Sequence, residues 1–230
     1  MSKLIIVSNR LPINITVEND SLSFSASSGG LATGMSSVHN QGGSLWIGWS
    51  GIEEENLDLN LNKKINSQLV NENCASVSLT KTEVNDFYYG LSNKTLWPLF
   101  HYFTEFSTFD NNQWESYKKV NQKFADIVIS NLSDGDRVWV HDYQLMLLPS
   151  MIRKMNPNVT IGFFLHIPFP SYEIFRIFPW REELLNGVLG SDLIGFHTYD
   201  YERHFMSSVK RLLRLNLNFN QIVHNDRNIT

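Results

Sequence analysis

VWVHDYQLMLLPSMIRKMNPNVTIGFFLHIPFP, residues 138–170, is the stretch on which the fold turns. It opens on one short apolar run, VWVH (138–141), and ends with a second, IGFFLH (161–166), followed by Pro168 and Pro170. Both runs are continuous rather than alternating, the pattern of strands covered on both faces of a parallel sheet. Between them, QLMLLPSMIRK (144–154) reads as a helix. Strand, helix and strand in this order make the unit from which such sheets are built.

The same grammar extends along the chain. LIIVS (4–8), LWIGW (45–49), ASVSL (75–79) and LIGFH (193–197) read as further buried strands. Helical patterns lie between them: GGLATGMSSVHN (29–40), WESYKKVNQKFADIVI (114–129) and TYDYERHFMSSVKRLLRL (198–215). In the second, Trp114, Tyr117, Val120, Phe124 and Ile127 recur at three- and four-residue spacing. Thr198 is the expected N-cap of the third. The polar stretch EEENLDLNLNKKINSQ (53–68) reads as surface structure or a loop. The expectation is one α/β domain over residues 1–230, a Rossmann-like, doubly wound, mostly parallel sheet. In such sheets ligands bind beyond the carboxyl ends of the strands.

Composition narrows the function. The 230 residues are 42% hydrophobic, enough for an ordinary buried core. A net charge of −4, with no polybasic run, argues against nucleic acid or an anionic membrane as partner. A single cysteine, Cys74, precludes an internal disulfide and reads as a buried thiol. No segment has the length of a signal-peptide core or a membrane span, so the cytoplasm is the expected compartment.

Several polar motifs fall at predicted strand ends. In SNRLPIN (8–14), Arg10 follows the first strand and offers a fork for phosphate or carboxylate, or stands as a solvated loop residue. In SSGGLATG (27–34), Gly29 and Gly30 open a helix; they allow backbone amides to approach an anion, or form a tight turn. Trp46 and Trp49 alternate in LWIGWSG (45–51), read first as core. DFYYGLSNKTLWPLFHY (86–102) is dense in rings, suited to a sugar's apolar face or to an aromatic subcore. Asp142 is a carboxylate where a buried strand ends, which demands partners: a helix cap, a pair with His141, or a ligand. His166 is held beside two prolines, as a core residue or a site residue. Asp134-Gly135-Asp136 precedes a strand and reads as a turn.

Together SNRLP, GGLATG, WIGWSG, SNKTLWPLFHY, VWVHDYQLMLLP, GFFLHIPFPSYEIFR and DLIGFHTYDYERHF resemble one family, the trehalose-6-phosphate synthases of glycosyltransferase family 20. The matching pieces run from residue 3 to about 212, in the family's order. The resemblance implies the N-terminal half of a GT-B fold and transfer of glucose, with retention, from UDP-glucose to glucose 6-phosphate. It implies Arg10 on the acceptor phosphate, with Tyr88, Trp97 and Asp142 completing the acceptor site and Trp46 a weaker member. Gly29 and Gly30 would meet the donor, and His166 the donor glucose. His166 and Asp142 would be the catalytic pair, Asp142 as a hydrogen-bond acceptor rather than a nucleophile. Trp97 and Ile167 would shape the anomeric geometry. Tyr89 stands where relatives often carry Asn. No metal or other cofactor is implied, because in the family's proposed mechanism the departing phosphate takes the acceptor's proton. The family's second domain, which carries the diphosphate-binding Arg and Lys, has no counterpart in residues 1–230. Residues 1–230 alone are therefore expected to be inactive, with a C-terminal half, a full-length synthase subunit or a second copy as possible partners. The other readings are a non-catalytic sugar-phosphate sensor or scaffold, and a related transferase with another acceptor.

Overall fold

The computed structural model describes residues 2–18, 21–40 and 42–230. Its centre is a six-stranded sheet made of β1 (Leu4–Arg10), β4 (Ser44–Glu53), β5 (Cys74–Leu79), β6 (Arg137–His141), β7 (Thr160–Phe164) and β8 (Leu193–Gly195). Two further strands, β2 (Ile13–Glu18) and β3 (Ser21–Ala26), pair with each other outside it. The spatial order is β5-β4-β1-β6-β7-β8, and every neighbouring pair is parallel. Counted along the chain within this sheet alone, the order is 3-2-1-4-5-6, that of a doubly wound Rossmann sheet. The strand order reverses between β1 and β6, and the crevice there is where such sheets take ligands.

The apolar runs explain the layers. In β1, Ile6 packs with Trp46, Met35, Ile65 and Leu69 on one face. Its neighbours Ile5 and Val7 pack on the other with Ile47, Val77, Phe124 and Val140. A strand buried on both faces needs no alternation, which is why LIIV reads as a continuous run. The helix Asn111–Asn131 buries its Trp114, Tyr117, Val120, Phe124 and Val128 stripe, and Asp110 caps it by accepting from Asn112 N and Gln113 N.

Two expectations are made more specific, and two are corrected. The polar stretch 53–68 is mostly helix: Leu59–Asn71, capped by Asp58 and anchored by buried Ile65 and Leu69. Its four-residue apolar spacing is thin among asparagines, so the cap was the better signal. Thr198 occupies the N-cap position of the helix Tyr199–Ser208, but its side chain makes no capping bond. That helix is shorter than 198–215; it passes into a π-type turn, Val209–Leu213, and stops at left-handed Arg214. Last, β7 and β8 end two residues early, so His166 and His197 stand just past the strands.

Two small sheets had no reading from sequence. The β2–β3 hairpin covers Ile6 and Trp46 with Ile13, Ile15, Leu22 and Phe24. Near the end, β9 (Leu217–Asn218), β10 (Gln221–His224) and β11 (Arg227–Ile229) form a meander. Asn225 and Asp226 both take positive φ, as a two-residue hairpin turn of matching twist requires. Thr230 N donates to Asp192 O and Thr230 O accepts from Ile194 N, which ties the meander to β8.

Candidate functional site

Parallel strands bring every carboxyl end to one edge, and the chain places its polar motifs there. Arg10 closes β1 beside Trp49 of β4. Four residues of β1, Val7 to Arg10, lie against only three of β4, Ile47 to Trp49. The extra residue is a bulge, which re-aims the side chain that follows it. Ser8 fixes the bulge, its hydroxyl donating to Arg10 O at 2.7 Å and accepting from Trp46 Nε1 at 2.8 Å.

The Arg10 guanidinium then lies over the Trp49 ring, 4.9 Å from its centroid. Two glycines of WIGWSG make room for it. A Cβ at Gly48 would stand 2.7 Å from the Arg10 carbonyl carbon, and one at Gly51, where φ is +92°, would collide with the guanidinium. Arg10 forms no ion pair among the described residues. An exposed, preplaced and unneutralised guanidinium is a receptor for a planar or tetrahedral anion.

Tyr88 completes this corner, its ring 6.2 Å from that of Trp49 and 5.1 Å from that of Tyr89. It belongs to Val84–Leu96, a stretch wound with π-type hydrogen bonds, a geometry frequent at functional sites. The stretch starts on a capping box between Thr80 and Glu83. Its rings divide by face. Phe87, Leu91, Leu96 and Phe100 are core, whereas Tyr88 is half-buried and Trp97 is 41% exposed. Trp97 stacks on His101, with centroids 4.1 Å apart. Tyr143 Oη donates to Asn93 Oδ1 at 2.9 Å and joins this segment to the end of β6.

Asp142 follows β6 directly. Its backbone sits at φ 76°, ψ 170°, a region that residues with a Cβ rarely occupy. Oδ1 accepts from Tyr143 N at 3.0 Å and from His166 N at 3.2 Å, and Asp142 N donates to Phe164 O at 2.8 Å. The carboxylate therefore cross-links the ends of β6 and β7 and caps a single 3-10 turn, Tyr143–Leu145, while Oδ2 makes no bond among the described residues. Burial raises the Asp142 carboxyl to about 6, against the lowering effect of the two amides, His197 and His101. The expected alternative of a His141–Asp142 pair is not made. His141 bonds to His166 instead, Nδ1 to Nε2 at 3.0 Å. Burial pushes His141 down to about 3 and, with His197 beside it, His166 down to about 4.

The remaining candidates are placed more loosely. Gly29 and Gly30 open the helix Gly30–Asn40, tied back where Ser27 N donates to Pro12 O. A Cβ at Gly30 would meet nothing within 4 Å, so packing within the chain does not call for glycine there. Ile167 is 8% exposed and packs in the main core below His166. Trp46 is buried mid-strand, with its indole on Ser8, and lies inside the core. Trp49, three residues on, is also core, 4% exposed, with its ring against Arg10. Cys74 is buried, which pushes its thiol up to about 12. Sequence reasoning also passed over His197 and the two glycines. The signal for His197 was present: VWVH, GFFLH and LIGFH are three apolar runs that each close on histidine.

Among the described residues, no group of three or more His, Cys, Asp or Glu side chains is placed to hold a metal ion. No helix among them is long and apolar enough to cross a membrane.

Comparison with known proteins places this architecture. The model of glycosyltransferase family 20 matches residues 2–230. A UDP-forming α,α-trehalose-phosphate synthase of Candida albicans is 46% identical over 217 residues, 92% of this chain and 45% of the relative. A solved Escherichia coli structure, described as trehalose-6-phosphate bound with UDP-2-fluoro glucose, superposes with a TM-score of 0.79 at 31% identity, over 99% of this chain and 47% of that one. The N-terminal domain of a Candida albicans trehalose-6-phosphate phosphatase superposes at 0.84, also at 31% identity, over 100% of this chain and 47% of that one. The chain thus spans less than half the length of these relatives.

Proposed function

This chain belongs to glycosyltransferase family 20 and has the fold of the N-terminal half of a GT-B glycosyltransferase, and on that premise we propose that residues 1–230 are the acceptor-binding domain of a UDP-forming trehalose-phosphate synthase. Glucose passes from UDP-glucose to glucose 6-phosphate, with retention, giving trehalose 6-phosphate and UDP. The observation that carries this reading is Arg10, seated by a bulge, two glycines and a tryptophan face, with no ion pair among the described residues.

Arg10 takes the acceptor's phosphate. Trp49 and Tyr88 flank it, and Trp97 offers its exposed ring to the acceptor sugar. Asp142 offers its Oδ2 to the acceptor's hydroxyls, and at pH 7 it is ionised, since its carboxyl titrates near 6. Gly29 and Gly30 let the donor's phosphates approach the start of their helix. His166 contacts the donor glucose, and Ile167 supports it from the core. In the transfer, the acceptor oxygen bonds to the anomeric carbon as the bond to the diphosphate oxygen breaks. The acceptor's proton goes to that departing oxygen, on the same face. The domain's contribution is positioning, together with charge-assisted bonds to phosphate and hydroxyl. The protein acts in the cytoplasm, and the nucleotide is held by the other half of a GT-B cleft.

The test is calorimetry of glucose 6-phosphate on residues 1–230, wild type against Arg10→Ala, together with UDP release in the presence of both substrates. Binding that Arg10→Ala lowers by roughly 10–100-fold, the loss of one or two charge-assisted bonds, with no UDP release by the isolated domain, is the expected result. Equal binding by the variant would overturn the acceptor site, and turnover matching a complete synthase would overturn the division of labour.

A second reading is favoured by the phosphatase domain, which has the same fold under a different name. In this second reading residues 1–230 bind a sugar phosphate, or a synthase subunit, without transfer. It predicts that joining residues 1–230 to a nucleotide-binding half restores no UDP release.

A further inference from the structure

The His141–His166 hydrogen bond fixes more than a distance. Both rings are neutral at pH 7, because burial holds both well below the usual histidine range. In a bond between two neutral imidazoles, one nitrogen carries the proton and the other accepts it. Each ring has a single proton to place. His141 decides where it goes, because its second nitrogen has nowhere to send one. The residue is 1% exposed, and its Nε2 is buried with no partner among the described residues.

Two arrangements exist. If His166 supplied the shared proton, His141 would carry its own on Nε2 and bury an N–H with no acceptor. If His141 supplies it from Nδ1, only a lone pair is left without a partner. Orphaned buried N–H groups are the rarer case in folded proteins. The second arrangement therefore prevails, and it leaves His166 with its proton on Nδ1. That nitrogen makes no hydrogen bond among the described residues and is not among the buried unpartnered atoms, so it is open at the sheet edge.

We infer that His141 is a positioning residue: through the 3.0 Å bond it locks His166 in the Nδ1-protonated tautomer, so that His166 meets its ligand as a fixed hydrogen-bond donor. The ligand atom opposite must accept, as a sugar hydroxyl oxygen does. His166 in this form cannot take a proton at Nδ1, so it serves as a clamp rather than a general base. The identity of the ligand rests on the proposed function; the tautomer does not.

The test is long-range 1H–15N correlation on histidine-labelled residues 1–230 at pH 7, with His166 assigned by loss of its signals in His166→Gln. The expected pattern shows His166 protonated at Nδ1 and unprotonated at Nε2. The same pattern is expected in His141→Asn, whose amide can donate in place of Nδ1. In His141→Asp, which can only accept, the proton should move to Nε2. The wild-type spectrum decides even where a variant fails to fold: His166 protonated at Nε2 overturns the inference. So does a pattern unchanged by His141→Asp. Addition of UDP-glucose to the domain joined to a nucleotide-binding half separates the two readings. If it leaves the His166 signals unmoved while the tautomer is as expected, the donor-sugar role fails and the lock stands.

Discussion

Asp142 keeps a half-buried carboxylate on a backbone region that is close to glycine-only, φ 76° and ψ 170°. Such strain costs on the order of 1–3 kcal/mol and persists where surrounding structure or function demands it. The charge adds its own cost. The folded carboxyl near 6 holds a proton that an unfolded aspartate, near 3.8, has released. The folded state thus binds more protons between these values, so this residue's contribution to stability falls as pH rises from about 4 to 6 and stays low above. Asp142→Asn keeps an acceptor for Tyr143 N and His166 N and removes the charge. It is expected to raise stability at pH 7 by on the order of 2–3 kcal/mol, about 1.4 kcal/mol for each unit of pKa. The gain should vanish below pH 4, as denaturant titrations at both pH values would show. The same change should weaken glucose 6-phosphate binding about 10-fold or more. A variant that is both less stable and unimpaired would sink the assignment. A strained backbone under a raised carboxyl is not visible in HDY as letters. The sequence shows a carboxylate at a strand end, but not that its backbone is strained or that His141 would turn to His166.

At the scale of elements, the site depends on places where regular structure breaks. The bulge in β1, the register slip between Trp49 and Glu53 of β4, and the π-wound Val84–Leu96 all lie at the sheet's carboxyl edge. The apolar runs made the six strands legible, because continuous burial on both faces leaves a composition signal. The breaks leave almost none: WIGWSG reads as two core tryptophans, and only the fold turns its glycines into the seat of Arg10. Gly51→Ala tests this seat. It places a Cβ in a left-handed backbone and against the guanidinium, so Arg10 must move. Acceptor affinity is expected to fall by about as much as in Arg10→Ala, with only a modest loss of stability, roughly 1–2 kcal/mol. Unchanged affinity by calorimetry would show that Arg10 holds its place without the gap. At Asp58, an ordinary cap, the expectation differs. Asp58→Ala should cost about 1 kcal/mol in unfolding experiments and leave sugar binding untouched, since the Asp58 carboxylate is taken up by Asn60 N and Leu61 N of its own helix.

Across the whole molecule, the 3-2-1-4-5-6 order gathers residues from distant parts of the chain at one switch point, and it also gathers their titrations. His141 and His166 stay neutral in the fold, at about 3 and 4, whereas an unfolded histidine charges near 6.5. Between these values the unfolded chain binds more protons, so both residues contribute stability that is full above pH 6.5 and is lost as pH falls toward 4. At pH 4.5 the loss from His141 is roughly 2–3 kcal/mol, and that from half-buried His166 is smaller. The lowered His224 acts in the same direction, as does Glu83 below its ordinary range. Asp142 alone acts against them, since acid relieves its charge. Wild type should therefore lose stability between pH 7 and pH 4.5, with Asp142 offsetting part of the loss. In Asp142→Asn the offset is gone. Its Tm should start higher at pH 7 and fall more steeply, until the two proteins converge near pH 4. Parallel Tm profiles for the two proteins across this range would mean that Asp142 is already charged at little cost, and that its carboxyl does not shape the pH dependence of stability.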